Sequence, residues 1–120
     1  MRKITKLSAN ALKNGINFKR ANMKVNANDG INHIYLHDNL IGVYRNRLNE
    51  LILHDAGWRT MTTKERLNGI LNVFGLPYHI YQNKGEWYLR NYITSDVYFW
   101  NNMMCFNLNR NTLNLDYVPF

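Results

Sequence analysis

The sequence has little cysteine and no long apolar run, and each shortage excludes a class of protein. With Cys105 as the one cysteine, neither an internal disulfide nor a cysteine-rich zinc site can form. No stretch approaches the roughly 18–20 apolar residues that span a bilayer, so a membrane partner is not expected. Lys6, Asn10 and Lys13 interrupt the amino-terminal apolar residues, which argues against an export signal. We therefore expect a reducing cytoplasm, with Cys105 as a small core residue.

Acidic residues are also scarce. Eight of them stand against fifteen lysines and arginines, which gives a net charge of +7 in 120 residues. Most fall singly in predicted turns, whereas a metal-dependent nuclease needs clustered carboxylates. The two serines, Ser8 and Ser95, lie in no nucleophile motif, and no glycine-rich phosphate loop is present. We therefore predict a protein that is not an enzyme and that holds no cofactor and no metal.

The amino-terminal residues 1–22 differ from the rest of the chain, because they are basic without a single acid. Ile4, Leu7, Ala11 and Leu12 have helical spacing, and Gly15 could end a short helix. Two interpretations stay open: a basic arm that contacts phosphates, or a short amphipathic helix that covers the core. The cations of this segment are Arg2, Lys3, Lys6, Lys13, Lys19 and Arg20.

Residues 23–120 are predicted to form a single α+β domain, which begins with an antiparallel β-meander. Apolar and polar residues alternate from Met23, and short turn sequences separate the strands up to His54. The pair Asp38-Asn39 tolerates positive φ and predicts a tight hairpin. Links this short exclude parallel crossovers, so neighbouring strands should be antiparallel.

One principal helix is predicted at about residues 63–74. Thr62 and Glu65 have the spacing of a capping box, in which Thr62 is the N-cap. Leu67, Ile70, Leu71 and Phe74 then form one apolar stripe, which should pack on the sheet. Gly75 and Pro77 end the helix. Gly69 inside the helix suggests a close approach between the helix and the sheet.

Two further hairpins are predicted after this helix. Residues 78–81 and 86–89 flank a turn at 83–85, and residues 97–100 and 103–106 flank Asn101-Asn102. The expected fold is therefore an α+β domain of β-meander and hairpins with one helix on a sheet face.

Two histidine–aspartate pairs, His37-Asp38 and His54-Asp55, end neighbouring predicted strands. They could converge on a site, but aspartate is also an ordinary turn residue at strand ends. The sequence leaves this question open.

The segment 55–66 is the richest in candidate binding residues, because it leads into the start of the principal helix. Free N–H groups at a helix N-terminus favour an anion, and cations here oppose the helix dipole unless an anion is bound. A phosphate site is one interpretation; the other is structural, with Trp58 packed under the helix and the cations in water. The candidate residues in this segment are Trp58, Arg59, Thr60, Thr63, Lys64 and Arg66.

The aromatic residues indicate a second candidate surface. In pairs such as Trp87-Tyr88 and Phe99-Trp100, adjacent side chains point to opposite faces of a strand, so one of each pair should leave the core side. Exposed aromatic rings near Lys84 and Arg90 are typical of single-strand binders. A second small core or a homodimer interface is the alternative.

Several segments resemble a group of small phage-encoded proteins. Residues 57–60 (GWRT), 62–68 (TTKERLN), 80–84 (IYQNK) and 87–89 (WYL) match a GWxT-x-TTKxRLN segment followed by IYQK-like and WYL stretches. Residues 36–41 (LHDNLI) are similar to an LHGNxIA stretch, with Asp38 in the glycine position. The resemblance spans about residues 23–90 and implies a viral origin.

Two functions from different classes follow. The first is a non-enzymatic phage protein that binds nucleic acid, DNA in preference to RNA, in the host cytoplasm. Its contacts would come from Arg2, Lys3, Lys6, Lys13 and the segment 58–66. The alternative is a phage effector that inhibits a host defence factor or nucleic-acid enzyme with an acidic surface, since tyrosine, tryptophan and arginine dominate protein interfaces.

Overall fold

The computed structural model describes residues 1–117 and contains two α-helices, ten β-strands and a 3₁₀ turn at Asn46–Leu48. The last three residues of the predicted domain 23–120 lie outside the described residues. The helices are α1 (Lys3–Asn14) and α2 (Met61–Val73). The strands are β1 (Phe18–Arg20), β2 (Met23–Asn28), β3 (Ile31–Leu36), β4 (Asn39–Arg45), β5 (Glu50–His54), β6 (Tyr78–Asn83), β7 (Glu86–Asn91), β8 (Val97–Phe99), β9 (Met103–Asn107) and β10 (Thr112–Leu113).

The strands form two antiparallel sheets, so the predicted α+β class is confirmed. The larger sheet has the order β1-β2-β3-β4-β5-β9-β10, and its first five strands are a meander. Its β3–β4 turn lies at His37-Asp38, both with positive φ, one residue before the predicted Asp38-Asn39. Histidine, aspartate and asparagine all adopt positive φ more often than other residues. The sequence His37-Asp38-Asn39 is therefore compatible with a turn at either pair.

The smaller sheet has the order β6-β7-β8 and contains the hairpin predicted from residues 78–81 and 86–89, each strand being two residues longer than predicted. The predicted hairpin between 97–100 and 103–106 is wrong, because β8 pairs with β7 while β9 pairs with β5 of the larger sheet. The chain crosses between sheets at Trp100, whose backbone N–H donates to Trp87 and whose indole donates to Asp55. Local alternation predicts a strand but does not identify its partner.

The apolar stripe of α2 lies in the core, as predicted. Leu67, Ile70 and Leu71 are at most 1% exposed, and Phe74 packs partly buried against them. The predicted capping box is wrong, because the N-cap is Thr60, whose hydroxyl accepts the Thr63 N–H at 3.1 Å. The residue expected to complete the box, Glu65, instead turns to α1.

The amino-terminal helix α1 packs against α2 and against strands β2 and β3. Its Ala9 and Leu12 are fully buried in the same core as α2. Gly69 marks the closest approach, because a β-carbon there would overlap the Thr5 methyl group. We predicted that Gly69 allows a close approach to the sheet. In the structure, it allows a close approach to α1 instead.

Candidate nucleic-acid interface

A buried polar network, here called the α1–α2 junction, joins the two helices through Thr5, Asn22, Glu65 and Arg66. Arg66 is 3% exposed and donates to the Thr5 hydroxyl at 2.9 Å and to Asn22 at 3.2 Å. Arg66 also forms an ion pair with Glu65 at 2.5 Å. The Glu65 carboxylate accepts a second hydrogen bond, from the Thr5 hydroxyl. Arg66 was a candidate phosphate ligand, but these partners hold its guanidinium inside the protein.

Glu65 is held as a carboxylate by the same network. Partial burial raises its pKa, but hydrogen bonds from Thr5 and Arg66 and from the Arg2 backbone outweigh this effect, so the pKa is lowered from 4.5. A buried cation next to an ionised partner needs this arrangement, since an unpaired charge would be costly. The junction is therefore a structural element that ties α1 to α2.

Arg59, a second candidate cation, is also tied to the protein. It donates from Nε to the Asp55 carboxylate at 3.2 Å, and from Nη2 to the Trp100 carbonyl at 3.2 Å and to Asn102 at 2.9 Å. Asp55 is 1% exposed and also accepts from the Gly57 N–H and the Trp100 indole. Arg59 thus fastens the segment before α2 to the crossing between the sheets, with about a third of its side chain exposed.

The start of α2 has fewer free backbone N–H groups for an anion than its sequence suggests. The Thr63 N–H donates to the Thr60 hydroxyl, and the Lys64 N–H donates to the Thr60 carbonyl at 3.1 Å. Thr63 is itself buried, with its hydroxyl 2.9 Å from that of Thr60. The N–H groups of residues 63 and 64 are therefore already used within the helix and are not free for an anion.

The cations of α1 remain accessible. Lys3, Lys6 and Lys13 are exposed and lie three and seven residues apart, which places them on one stripe of the helix. Lys13 contacts the Val73 carbonyl at the end of α2, at 3.3 Å. Arg2 is exposed directly before the helix, and its backbone N–H lies 3.4 Å from Glu65. Within residues 1–22, α1 is therefore an amphipathic helix that covers the core, with basic residues on its outer side.

The outer face of the three-stranded sheet carries three aligned aromatic rings, here called the aromatic ladder: Tyr81, Tyr88 and Phe99. These residues are cross-strand neighbours on β6, β7 and β8. Their rings stack with centroids 5.5 Å and 5.2 Å apart, and Phe99 is 69% exposed. The adjacent Trp87 and Trp100 point inward and are buried, as the alternation predicted. Phe99, on the edge strand, is the most exposed of the three rings, and Tyr81 and Tyr88 are half-buried.

A long groove runs beside the ladder, between α2 and β6. Its volume is about 1200 Å³, and its lining includes Lys64, Tyr81, Arg90 and Tyr92. Asn68 is one of the lining residues, and its side-chain amide accepts from the Ile80 N–H at 2.7 Å and donates to the Ile80 carbonyl at 2.9 Å. Asn68 thereby occupies backbone groups on the edge of β6, as a neighbouring strand would. The groove has cations and aromatic rings on its walls.

A smaller cavity of about 390 Å³, here called the Trp58 cavity, lies on the other side of the first turn of α2. Trp58 is 62% exposed and forms part of the wall, so it is not packed under the helix. Arg59, Lys64 and Arg66 do not line this cavity. The other lining residues are Leu36, His37, Asn39, Ile41, Asp55, Ala56, Thr60, Thr62 and Thr63.

The two histidine–aspartate pairs do not form a metal site. His54 accepts the Ala56 N–H on Nδ1 at 2.7 Å, and Asp38 lies 3.6 Å from Lys24 at the surface. Within residues 1–117, no group of three or more histidine, cysteine or carboxylate side chains could hold a metal ion. In that same part of the chain, no helix has the length and apolar character of a membrane span.

Comparison with known proteins gives one family. The model for the Kyanoviridae Gp96 protein matches residues 1–107. The chain belongs to this phage protein family. The match includes both helices and the strands through β9, and therefore covers the α1–α2 junction, the groove and the aromatic ladder. Neither a curated protein nor a solved structure matches the chain.

Membership of the Kyanoviridae Gp96 family shows a viral protein, as the resemblance implied. Much of the TTKERLN segment has structural roles in this chain. The helix cap uses Thr63, and the α1–α2 junction uses Glu65 and Arg66. Leu67 lies in the core, and Asn68 pairs with β6.

Tyr88 and Phe99 belong to the second candidate surface that the aromatic pairs predicted. The cross-strand register of β6, β7 and β8, which no single segment shows, aligns them with Tyr81.

Proposed function

We propose that this phage protein binds single-stranded nucleic acid in the host cytoplasm, across the aromatic ladder and the adjoining groove. The observation that carries the proposal is the ladder itself, three stacked rings on the outer face of a three-stranded sheet. Single strands bind such surfaces because every base has a flat face that stacks on an aromatic ring.

Charge supports the same surface. Lys64 and Arg90 line the groove, and His79 is the cross-strand neighbour of Arg90 on the outer face of the sheet. Glu65 lines the groove too, but its carboxylate is engaged by Arg66 and Thr5. With a net charge of +7 and the exposed lysine stripe of α1, the protein also attracts phosphates at longer range.

A host-protein partner is the second candidate, favoured by a different observation. Four exposed apolar side chains lie in the turn after β7 and on the edge strand β8: Tyr92, Ile93, Val97 and Phe99, at 62%, 75%, 50% and 69% exposure. Exposed apolar patches of this kind mark interaction sites. Such a partner would dock on β8, and its acidic residues would match the positive charge.

Fluorescence anisotropy with labelled single-stranded DNA, single-stranded RNA and duplex DNA tests the proposal. We expect the single strands to bind more tightly than the duplex, and single-stranded DNA more tightly than RNA. Phe99→Ser should weaken single-strand binding about tenfold, since one base loses its stacking partner. The fold should survive, because Phe99 is mostly exposed.

A groove variant and a control variant distant from the groove separate a defined site from general attraction. Replacing both Lys64 and Arg90 by glutamine should reduce the slope of log K against log salt by about 1.4, because each single-strand phosphate contact contributes about 0.7. Arg110→Gln removes one exposed cation from the β9–β10 turn and should leave this slope unchanged. Equal slopes in all variants would place the contacts elsewhere. No binding to any strand near 100 mM salt would reject nucleic acid and leave the host-protein candidate.

A further inference from the structure

We propose that the Trp58 cavity receives one unstacked base of the bound strand. This inference depends on the proposed function and adds a second kind of contact to it. The cavity volume of about 390 Å³ lies within the range of ligand pockets, roughly 300–1,000 Å³. Its ligand is therefore one small group rather than a length of chain.

The chemistry of the walls selects a flat, uncharged group. Leu36, Ile41 and Ala56 provide apolar surface, and the exposed Trp58 indole provides an aromatic ring. The nearby cations are directed elsewhere, since Arg59 is bonded to Asp55 and Arg66 is buried in the α1–α2 junction. A phosphate would find little positive charge here, whereas a base would find a stacking partner and apolar contact.

Polar groups around the cavity suit the edge of a base. His37, Asn39 and Thr62 all contribute to the lining. Within residues 1–117, the side chains of these three residues are not engaged in hydrogen bonds with the protein, in contrast to the neighbouring Asp55 and Thr60. An amide, an imidazole and a hydroxyl together can donate to and accept from the polar edge of a base.

The cavity adjoins the groove of the proposed function across one turn of helix. The two sites share the start of α2. Its residues Met61, Lys64 and Glu65 line the groove. The cavity is lined by Thr60, just before the helix, and by Thr62 and Thr63. A strand held in the groove by Lys64 would therefore reach the mouth of the cavity with its next nucleotides. This continuity favours a base of the same strand over an unrelated small molecule.

Tryptophan fluorescence provides a readout specific to this cavity. Of the three tryptophans, Trp58 is 62% exposed, while Trp87 and Trp100 are 1% and 3% exposed. Acrylamide quenching of the intact protein should therefore report mainly on Trp58. The probes are an eight-residue oligothymidylate and an abasic oligomer of the same length, whose backbone has the same phosphates without bases. We expect oligothymidylate to shield Trp58 from acrylamide and the abasic oligomer to leave it accessible.

Variants connect this readout to affinity. Trp58→Ala should weaken oligothymidylate binding in anisotropy about tenfold, because one stacked base is lost. Asn39→Ala should weaken it several-fold through a lost hydrogen bond. Leu48→Ala is the control, since Leu48 is a 60% exposed apolar residue that does not line the cavity. It should change neither affinity nor quenching.

The outcomes separate the two proposals. If oligothymidylate binds in anisotropy but leaves Trp58 quenching unchanged, the cavity inference is overturned and the proposed function stands. If the abasic oligomer shields Trp58 equally, the cavity contacts the backbone, and the inference is also overturned. If the protein binds no oligonucleotide in anisotropy, the proposed function fails and the inference fails with it.

Discussion

The α1–α2 junction and the outer face of the three-stranded sheet use similar side chains in opposite ways. At the junction, Glu65 and Arg66 are paired with each other and hydrogen-bonded to Thr5 inside the protein. On the sheet, Arg90 and the ring of Phe99 are directed to solvent. The junction thus holds the fold together, while the sheet face is available to a partner. A cation in a basic sequence therefore indicates binding only where the fold leaves it accessible.

Removing Arg66 should have the largest effect on stability. Arg66→Ala leaves Glu65 without its charged partner and opens space between the helices, and should cost about 3 kcal/mol of unfolding free energy. Arg110→Ala, which removes an exposed cation, should stay within about 0.5 kcal/mol. Urea unfolding of both variants measures the difference. A loss under about 1 kcal/mol for Arg66→Ala would show that the junction contributes little.

The packing at Gly69 should give the next largest effect. Alanine favours a helix by about 1 kcal/mol over glycine, but overpacking costs about 1–3 kcal/mol. Because the new methyl would overlap that of Thr5, we expect Gly69→Ala to destabilise the protein by about 1 kcal/mol. Thr5→Ser removes only the methyl and keeps the hydroxyl. In that background, thermal unfolding should show Gly69→Ala to be neutral or stabilising; a stabilising effect in the unmodified chain would contradict the contact.

The helix cap allows two adjacent threonines to be compared. Thr60→Ala should cost about 1 kcal/mol, because the Thr63 N–H loses its acceptor. Thr62→Ala should be nearly neutral for stability, since Thr62 lies within the helix and not at its N-cap. Chemical denaturation distinguishes them. The reverse order would restore Thr62 as the cap and contradict the structure.

Acid should weaken the junction through Glu65. Its pKa is lowered in the folded protein from 4.5, so ionised Glu65 stabilises the fold above that value, and this contribution is lost as pH falls through the folded-state pKa. Glutamine does not titrate, so the Glu65→Gln variant does not have this pH-dependent contribution to stability. Below about pH 4.5, the unfolding free energy should therefore fall more steeply in the unmodified protein than in Glu65→Gln. Parallel curves would show that Glu65 is not involved.

Much of the fold could be predicted because it depends on local patterns. The stripe from Leu67 to Phe74 predicted α2, and short turns predicted the meander and the β6–β7 hairpin. The partner of β9 could not be predicted, since alternation is the same whether a strand joins one sheet or another. The cap was misassigned because Thr60, Thr62 and Thr63 all have side chains suited to an N-cap.

The candidate site was less predictable than the fold. Arg59, Thr63 and Arg66 were candidate ligands because they lie before and within the first turns of α2. In the fold they are hydrogen-bonded to Asp55, Thr60 and Thr5, respectively. Long-range partners such as Thr5 and Arg66 are 61 positions apart. Conversely, the aromatic ladder needs three strands in register, a property that no single segment shows.

Mapping the bound strand on the protein by NMR tests the central claim most directly. Oligothymidylate would be titrated into ¹⁵N-labelled protein, and the shifts of backbone amides and tryptophan indoles followed. We predict shifts at Tyr81, Tyr88 and Phe99, along the groove, and at the Trp58 indole. The outer face of the seven-stranded sheet, around His33 and Tyr35, should be unaffected. Shifts confined to that face, or saturation of binding with the three-stranded sheet unchanged, would contradict the account.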